Sequence, residues 1–216
     1  STLPPIKGMS PYTLGLVKEL SKYAKIDFIG FKNIYPEFLY PGGTKDRYQK
    51  RPQIKNLKNR SFLTWYNPFS WIWAGLTIKG KIVHVQWWSY ILAPIYFIIL
   101  FITKLMGKKI IMTIHNVKPH EKSFVKNFLN SSVLFLADGY IVHSEENKKQ
   151  FLKLKNTRKP VYIIKLGVMD LTNSKESVNN LRKKYKISPH YKVILFFGNI
   201  REYKGLDVLL HSLNLS

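Results

Sequence analysis

Cysteine is absent from this 216-residue chain, which excludes disulfides and thiolate metal sites and argues against a zinc finger on nucleic acid. Acidic residues are scarce, 12 Asp and Glu against 35 Lys and Arg, for a formal net charge of +23. A field of that sign attracts phosphate, in a nucleotide, a nucleic acid or an anionic lipid, and charge alone does not choose among them. From Ile82 to Thr103 no charged residue of either sign occurs. The run is long enough on paper for a membrane span. His84, Gln86, Ser89 and Trp87-Trp88 interrupt it, however, and it reads as a strand over 82–87 and then a buried helix over 90–106. No three His, Asp or Glu residues recur at the spacing of a helical metal site, so no metal is expected. Neither a helix-turn-helix nor an aromatic-in-basic sheet pattern is evident, so nucleic acid is not an expected partner.

What is present is alternation: short apolar runs separated by longer helical patterns, the mark of βαβ units. The expected fold class is α/β, a Rossmann-like parallel sheet with helices on both faces. Strands are expected over 26–31, 82–87, 110–115, 140–143, 161–165 and 193–197, and helices over 12–23, 90–106, 121–136, 145–154, 181–185 and 206–213. Residues 36–67 mix Pro, Gly, Arg and Lys with little periodicity and read as long irregular connections. A Ser-, Thr- and Asn-rich stretch over 171–178 reads as a linker. It divides the chain into a domain over 1–170, its first strand not visible before Pro4-Pro5, and a segment over 171–216 that holds the linker and the first strand and helix of a second Rossmann-like domain. The chain therefore reads as a fragment.

Three places carry chemistry. The run from Val193 to Leu210 passes from an apolar stretch through Gly198, Arg201 and Lys204 to a new helix. Gly198 lets backbone approach a ligand, the two cations supply donors, and the helix start near Gly205 offers free N–H groups, an arrangement suited to a diphosphate. A second glycine, Gly8, lies in a loop that leads into a helix, where it can seat a substrate or simply form a turn capped by Ser10. Third, the apolar run 110–115 delivers His115 to a strand's C-terminal end, the edge where open α/β sheets bind ligands. A histidine there can serve a sugar hydroxyl or move a proton, or be held by backbone. His143 repeats that placement, with Ser144 reading as the N-cap of the next helix, and structural satisfaction is its favoured role. His84, inside a strand pattern, also reads as structural. The basic segments 148–159 and 182–186 read as solvated faces, though with Trp65, Trp71, Trp73, Trp87 and Trp88 they also suit a membrane interface.

Taken in order, these pieces resemble a GT-B glycosyltransferase, most closely the large retaining group numbered family 4. Pro4-Pro5 to Tyr12-Thr13 resembles that family's first glycine-bearing loop, Ile82 to Val85 its strand ending in hydrophobic-His, and Thr113 to Asn116 the strand with the active-site His. Ala137 to Ser144, Gly167-Val168 and the stretch from Phe197 to Gly205 resemble its later motifs. Two positions depart from the pattern: Asn199 stands where an Arg is common, and Met9 replaces a frequent second glycine.

The resemblance implies transfer of a sugar from a nucleotide-sugar donor to a glycan or lipid-linked acceptor, with retention of configuration and without a required metal or other cofactor. His115 contacts the transferred sugar on this reading, Gly198, Arg201 and Lys204 hold the donor diphosphate, and Gly8 lines the acceptor cleft. Fixed cations and a helix N-terminus then stabilise the leaving diphosphate. The implied setting is cytoplasmic and peripheral, at the inner face of an anionic membrane, in polysaccharide biosynthesis. The family's paired-Glu motif is not present, so the chain as given is expected to be inactive alone. The alternative expectation is a non-catalytic module that docks on a membrane or a partner.

Overall fold

The computed structural model describes residues 1–36, 43–46, 49–116, 124–167, 177–197, 200 and 204–213. The chain divides into two compact units, Ser1–Asp170 and Leu171–Ser216.

The first unit is α/β with parallel sheets flanked by helices, compatible with a Rossmann-like fold. Strands β1 (Ile26–Asn33) and β2 (Leu57–Thr64) pair parallel as a two-stranded sheet. Strands β3 (Ile82–Trp87), β4 (Lys109–Ile114), β5 (Gly139–Val142) and β6 (Val161–Ile163) form a four-stranded parallel sheet in chain order. Parallel neighbours require crossovers. Helices α3 (Ala93–Leu105), α4 (Phe124–Leu136) and α5 (Glu145–Leu154) make them, while α1 (Ser10–Leu20) precedes β1 and α2 (Pro68–Thr77) joins β2 to β3.

Alternation along β3 assigns the helices to faces. Val85 and Trp87 enter the main apolar core beside Leu100 of α3, and the Trp87 indole donates to Asn130 of α4 at 3.1 Å. Gln86 lies between them in sequence and accepts from the Thr13 hydroxyl of α1 at 3.0 Å. Helices α1 and α4 therefore cover opposite faces. Ile110, Met112, Leu100, Val133, Tyr140 and Val142 are fully buried at the centre.

Two elements arise where the sequence predicts none. In β2 the residues Lys58, Asn59, Arg60 and Ser61 interrupt any apolar run. Their polarity is met by side-chain partners: the Arg60 guanidinium forks onto Asp27 of β1 at 2.6 and 2.9 Å and also donates to the Thr77 carbonyl. Helix α2 begins with Pro68 behind an Asn67 cap that accepts from the Phe69 amide at 3.0 Å. Its Trp71 indole donates to the Thr64 carbonyl at 2.6 Å, fastening the helix to the end of β2. The expected irregular region 36–67 is thus corrected over its last third.

Boundaries also shift. Helix α1 starts at Ser10, so Ser10 lies inside the helix; Met9 is the N-cap residue and makes no side-chain cap. The expected helix over 90–106 opens with a 3₁₀ turn, Tyr90–Leu92, before α3 begins next to Pro94.

In the second unit, α6 (Val178–Lys184) is capped by Ser177 and α7 is Leu206–Leu213. Arg182 donates to the carbonyls of Ser188 and Tyr191. The strand expected over 193–197 is not formed: these residues have no ladder partner among the described residues, and Phe197 is 91% exposed. An apolar run becomes a strand only when another strand satisfies its backbone. Among the described residues no helix is long and apolar enough to cross a membrane.

Candidate functional site

The site grows from the C-terminal ends of the strands on the α1 face. Thr113 is opposite Gln86 in the β3–β4 register, and His115 follows β4 with its amide donating to the Trp87 carbonyl at 2.9 Å. Strand periodicity sends Thr113 and His115 to the side occupied by α1. Tyr12 of α1 meets both histidine rings there edge-on, with its centroid 4.7 Å from His115 and 5.5 Å from His143. Thr113 hydrogen-bonds His84 Nε2 at 2.7 Å and also engages the Tyr12 hydroxyl.

The two histidines form an ordered pair. Nδ1 of His143 is 2.9 Å from the Ile164 carbonyl, and its Nε2 is 3.3 Å from Nδ1 of His115. A carbonyl only accepts, so Nδ1 of His143 carries a proton; with both rings neutral, Nε2 of His143 accepts and Nδ1 of His115 donates. That leaves Nε2 of His115 as a bare lone pair, and this atom is buried without a partner. Burial, then the neighbouring His143, His84 and the Ser1 amino group, pull the His115 pKa down to about 4. The ring therefore stays neutral near pH 7, as an acceptor or base.

His115 Nε2 has company. Among the described residues the buried side-chain polar atoms without a partner are Thr2 Oγ1, Ser10 Oγ, Thr64 Oγ1 and His115 Nε2. Thr64 ends β2, His115 follows β4, and Ser10 begins α1. Thr2 Oγ1 lies 4.0 Å from where a Cβ on Gly8 would sit, and Gly8 has φ of +93°. Unmet buried polar atoms are rare in folded proteins. Thr2 and Ser10 flank the loop before α1, while Thr64 and His115 stand at the C-terminal ends of strands in the two sheets, the edge where ligands of open parallel sheets bind. A pocket of about 140 Å³ opens between Gly8, Ser10 and the facing Asp46 and Gln49.

No family model and no curated protein matches the chain.

The structure thus places His115 and the Gly8 loop at the same strand-end region, linked through Tyr12. His84 has its hydrogen-bond partner within the sheet, with its pKa lowered to about 4 by burial first. Ser144 caps α5, accepting from the Asn147 amide at 3.1 Å. His143 does more than the role the sequence favours for it, since its second nitrogen reaches His115. Gly198 and Arg201 lie outside the described residues. Lys204 is exposed and is followed by Gly205 at φ +69° and then α7. Among the described residues no three His, Cys, Asp or Glu side chains group to hold a metal ion. Tyr12, Thr2 and Thr64 escape sequence reasoning because each is an ordinary residue until the fold brings it to the edge. The only available signal is position: Thr64 closes a strand that the sequence hides.

Proposed function

We propose that the chain carries the acceptor side of a nucleotide-sugar glycosyltransferase, acting on a glycan or lipid-linked acceptor with retention of configuration. The observation that supports this best is the buried, unpartnered Nε2 of His115 after β4, with its ring packed against Tyr12 of the helix that follows the Gly8 loop. A bare imidazole lone pair in a dry site accepts from a hydroxyl, and a sugar is the ligand class richest in them. The further hydroxyls of Thr2, Ser10 and Thr64 supply donors and acceptors of the kind a polyol needs. On this reading Tyr12 packs the sugar-facing histidines, and His143 fixes the tautomer of His115. Lys204, with Arg201 and Gly198, binds the donor diphosphate, so that cations and the start of α7 offset the charge of the leaving group without a metal.

The test titrates the chain with nucleotide-sugars and with soluble glycans while following the imidazole nitrogens of its histidines by NMR. A hydroxyl that donates to Nε2 of His115 shifts that resonance, and His115→Ala abolishes the response. Lys204→Ala is expected to weaken nucleoside-diphosphate binding by about tenfold or more. An unmoved His115 resonance with every ligand rejects the sugar site. Unaltered diphosphate binding in Lys204→Ala rejects the role of that lysine.

A further inference from the structure

Helices α2 and α3 lie side by side, and their outer surface is apolar and uncovered. On α2, Phe69, Ile72, Trp73 and Leu76 recur at helical spacing and are 81, 40, 59 and 53% exposed. On α3, Phe97 and Phe101 stack at 5.9 Å on the exposed side. Both helices end in neighbouring corners: the Lys109 amide donates to the Lys81 carbonyl at 3.0 Å, and Lys108 Nζ donates to the Gly80 carbonyl at 3.0 Å. Exposed Ile82, Leu105 and Met106 sit there amid Lys79, Lys81 and Lys109. No Asp or Glu occurs between Arg47 and His120, the whole stretch that builds this surface. Asp138 approaches from outside that stretch and is paired with Lys104.

We infer that the α2–α3 face is a docking surface for an anionic lipid bilayer, with the phenylalanines and Trp73 at the acyl boundary and the corner lysines among the phosphate headgroups. The charge pattern selects this occupant. An interfacial segment combines an aromatic and aliphatic stripe with a lysine rim and excludes carboxylates, which the anionic surface repels. The face is a shoulder of two packed helices, so its side chains can enter the headgroup layer with no backbone exposed to hydrocarbon, because both helices satisfy their own hydrogen bonds. This inference stands on the α2–α3 surface alone and does not rest on the glycosyl-transfer reading, because its test contains no sugar.

The test is co-sedimentation of the full 216-residue chain with vesicles of phosphatidylcholine alone and of phosphatidylcholine mixed with phosphatidylglycerol. Binding is expected to the anionic vesicles and to weaken with salt. Lys79→Gln/Lys81→Gln is expected to reduce it by about tenfold or more, and Trp73→Ser/Phe101→Ser by a comparable factor. A chain of net charge +23 can cling to any anionic surface, so Lys149→Gln/Lys153→Gln on α5 serves as the matched control and should leave binding nearly intact. As a measurement on the unsubstituted protein, brominated acyl chains should quench its tryptophan emission, and less so in Trp73→Phe. Equal loss in the α5 control, or unaltered binding in both face variants, overturns the inference. So does self-association that vanishes in Trp73→Ser/Phe101→Ser while vesicles are ignored, since the face is then a contact between copies.

Discussion

Nε2 of His143 lies 3.3 Å from Nδ1 of His115, and the other nitrogen of His143 lies 2.9 Å from the carbonyl of Ile164. The relation runs from a backbone acceptor after β6, through a ring after β5, to a ring after β4. It fixes which nitrogen of His115 is bare. His143→Phe keeps an aromatic ring against Tyr12 and deletes the relay. His115 should then populate both neutral tautomers, visible in its imidazole nitrogen shifts, while the melting temperature changes only by the loss of hydrogen bonds worth about 1 kcal/mol each. An unchanged tautomer in that variant would mean that another group orients His115.

Stability should depend on acid through two histidines. His84 and His115 both have folded values near 4, with burial as the largest cause, against 6.5 when unperturbed. Between those values the unfolded chain binds protons that the folded chain refuses, so stability rises with pH across the window. The contribution is complete above about 6.5 and is lost as pH falls toward about 4. Urea melts at stepped pH should show the midpoint dropping across this range, with a shallower slope in His84→Asn.

Gly75 sets how closely α2 approaches α3. A Cβ there would sit 2.9 Å from the Ile102 Cβ, an atom near the backbone that cannot swing aside. Alanine gains up to about 1 kcal/mol of helix propensity over glycine, but overpacking costs about 1–3 kcal/mol. Gly75→Ala should therefore destabilise the protein. Adding Ile102→Ala supplies the missing room, and a double-mutant cycle should report a favourable coupling between the two sites.

Arg60 and Asp27 hold β2 to β1 by a two-pronged ion pair whose side chains are 21 and 17% exposed. Asp27→Ala leaves the guanidinium with its Thr77 hydrogen bonds and the Phe62 ring, 5.9 Å away, in a poorly hydrated place. A cost of about 2 kcal/mol is expected, below that of a fully buried pair. Thermal melting should show it, and Arg60→Met in the same background should recover part of the loss.

Much of the α/β order was legible. The apolar runs of β3 and β4 and the helical periodicity of α3 and α5 announce themselves, because burial on both faces or on one stripe writes a periodic pattern. Strand β2 was not legible, since Lys58, Asn59, Arg60 and Ser61 look like a loop until Asp27 and Asn59 meet their partners across and along the strand. The opposite error occurs at 193–197, where Val, Ile, Leu and Phe have the composition of a strand and no neighbour to pair with among the described residues. Local composition reports what a segment can bury; pairing depends on what else is present.

The sequence by itself determined the charge, the alternation of apolar runs and the delivery of His115 to the end of a strand, all of which follow from residue order and backbone periodicity. Only the tertiary structure decided that His143 reaches His115, that Thr2, Ser10 and Thr64 are buried without partners, and that the apolar stripes of α2 and α3 share one uncovered side. Those outcomes depend on contacts between residues far apart in the chain, and such contacts are set by packing and leave no local pattern to read.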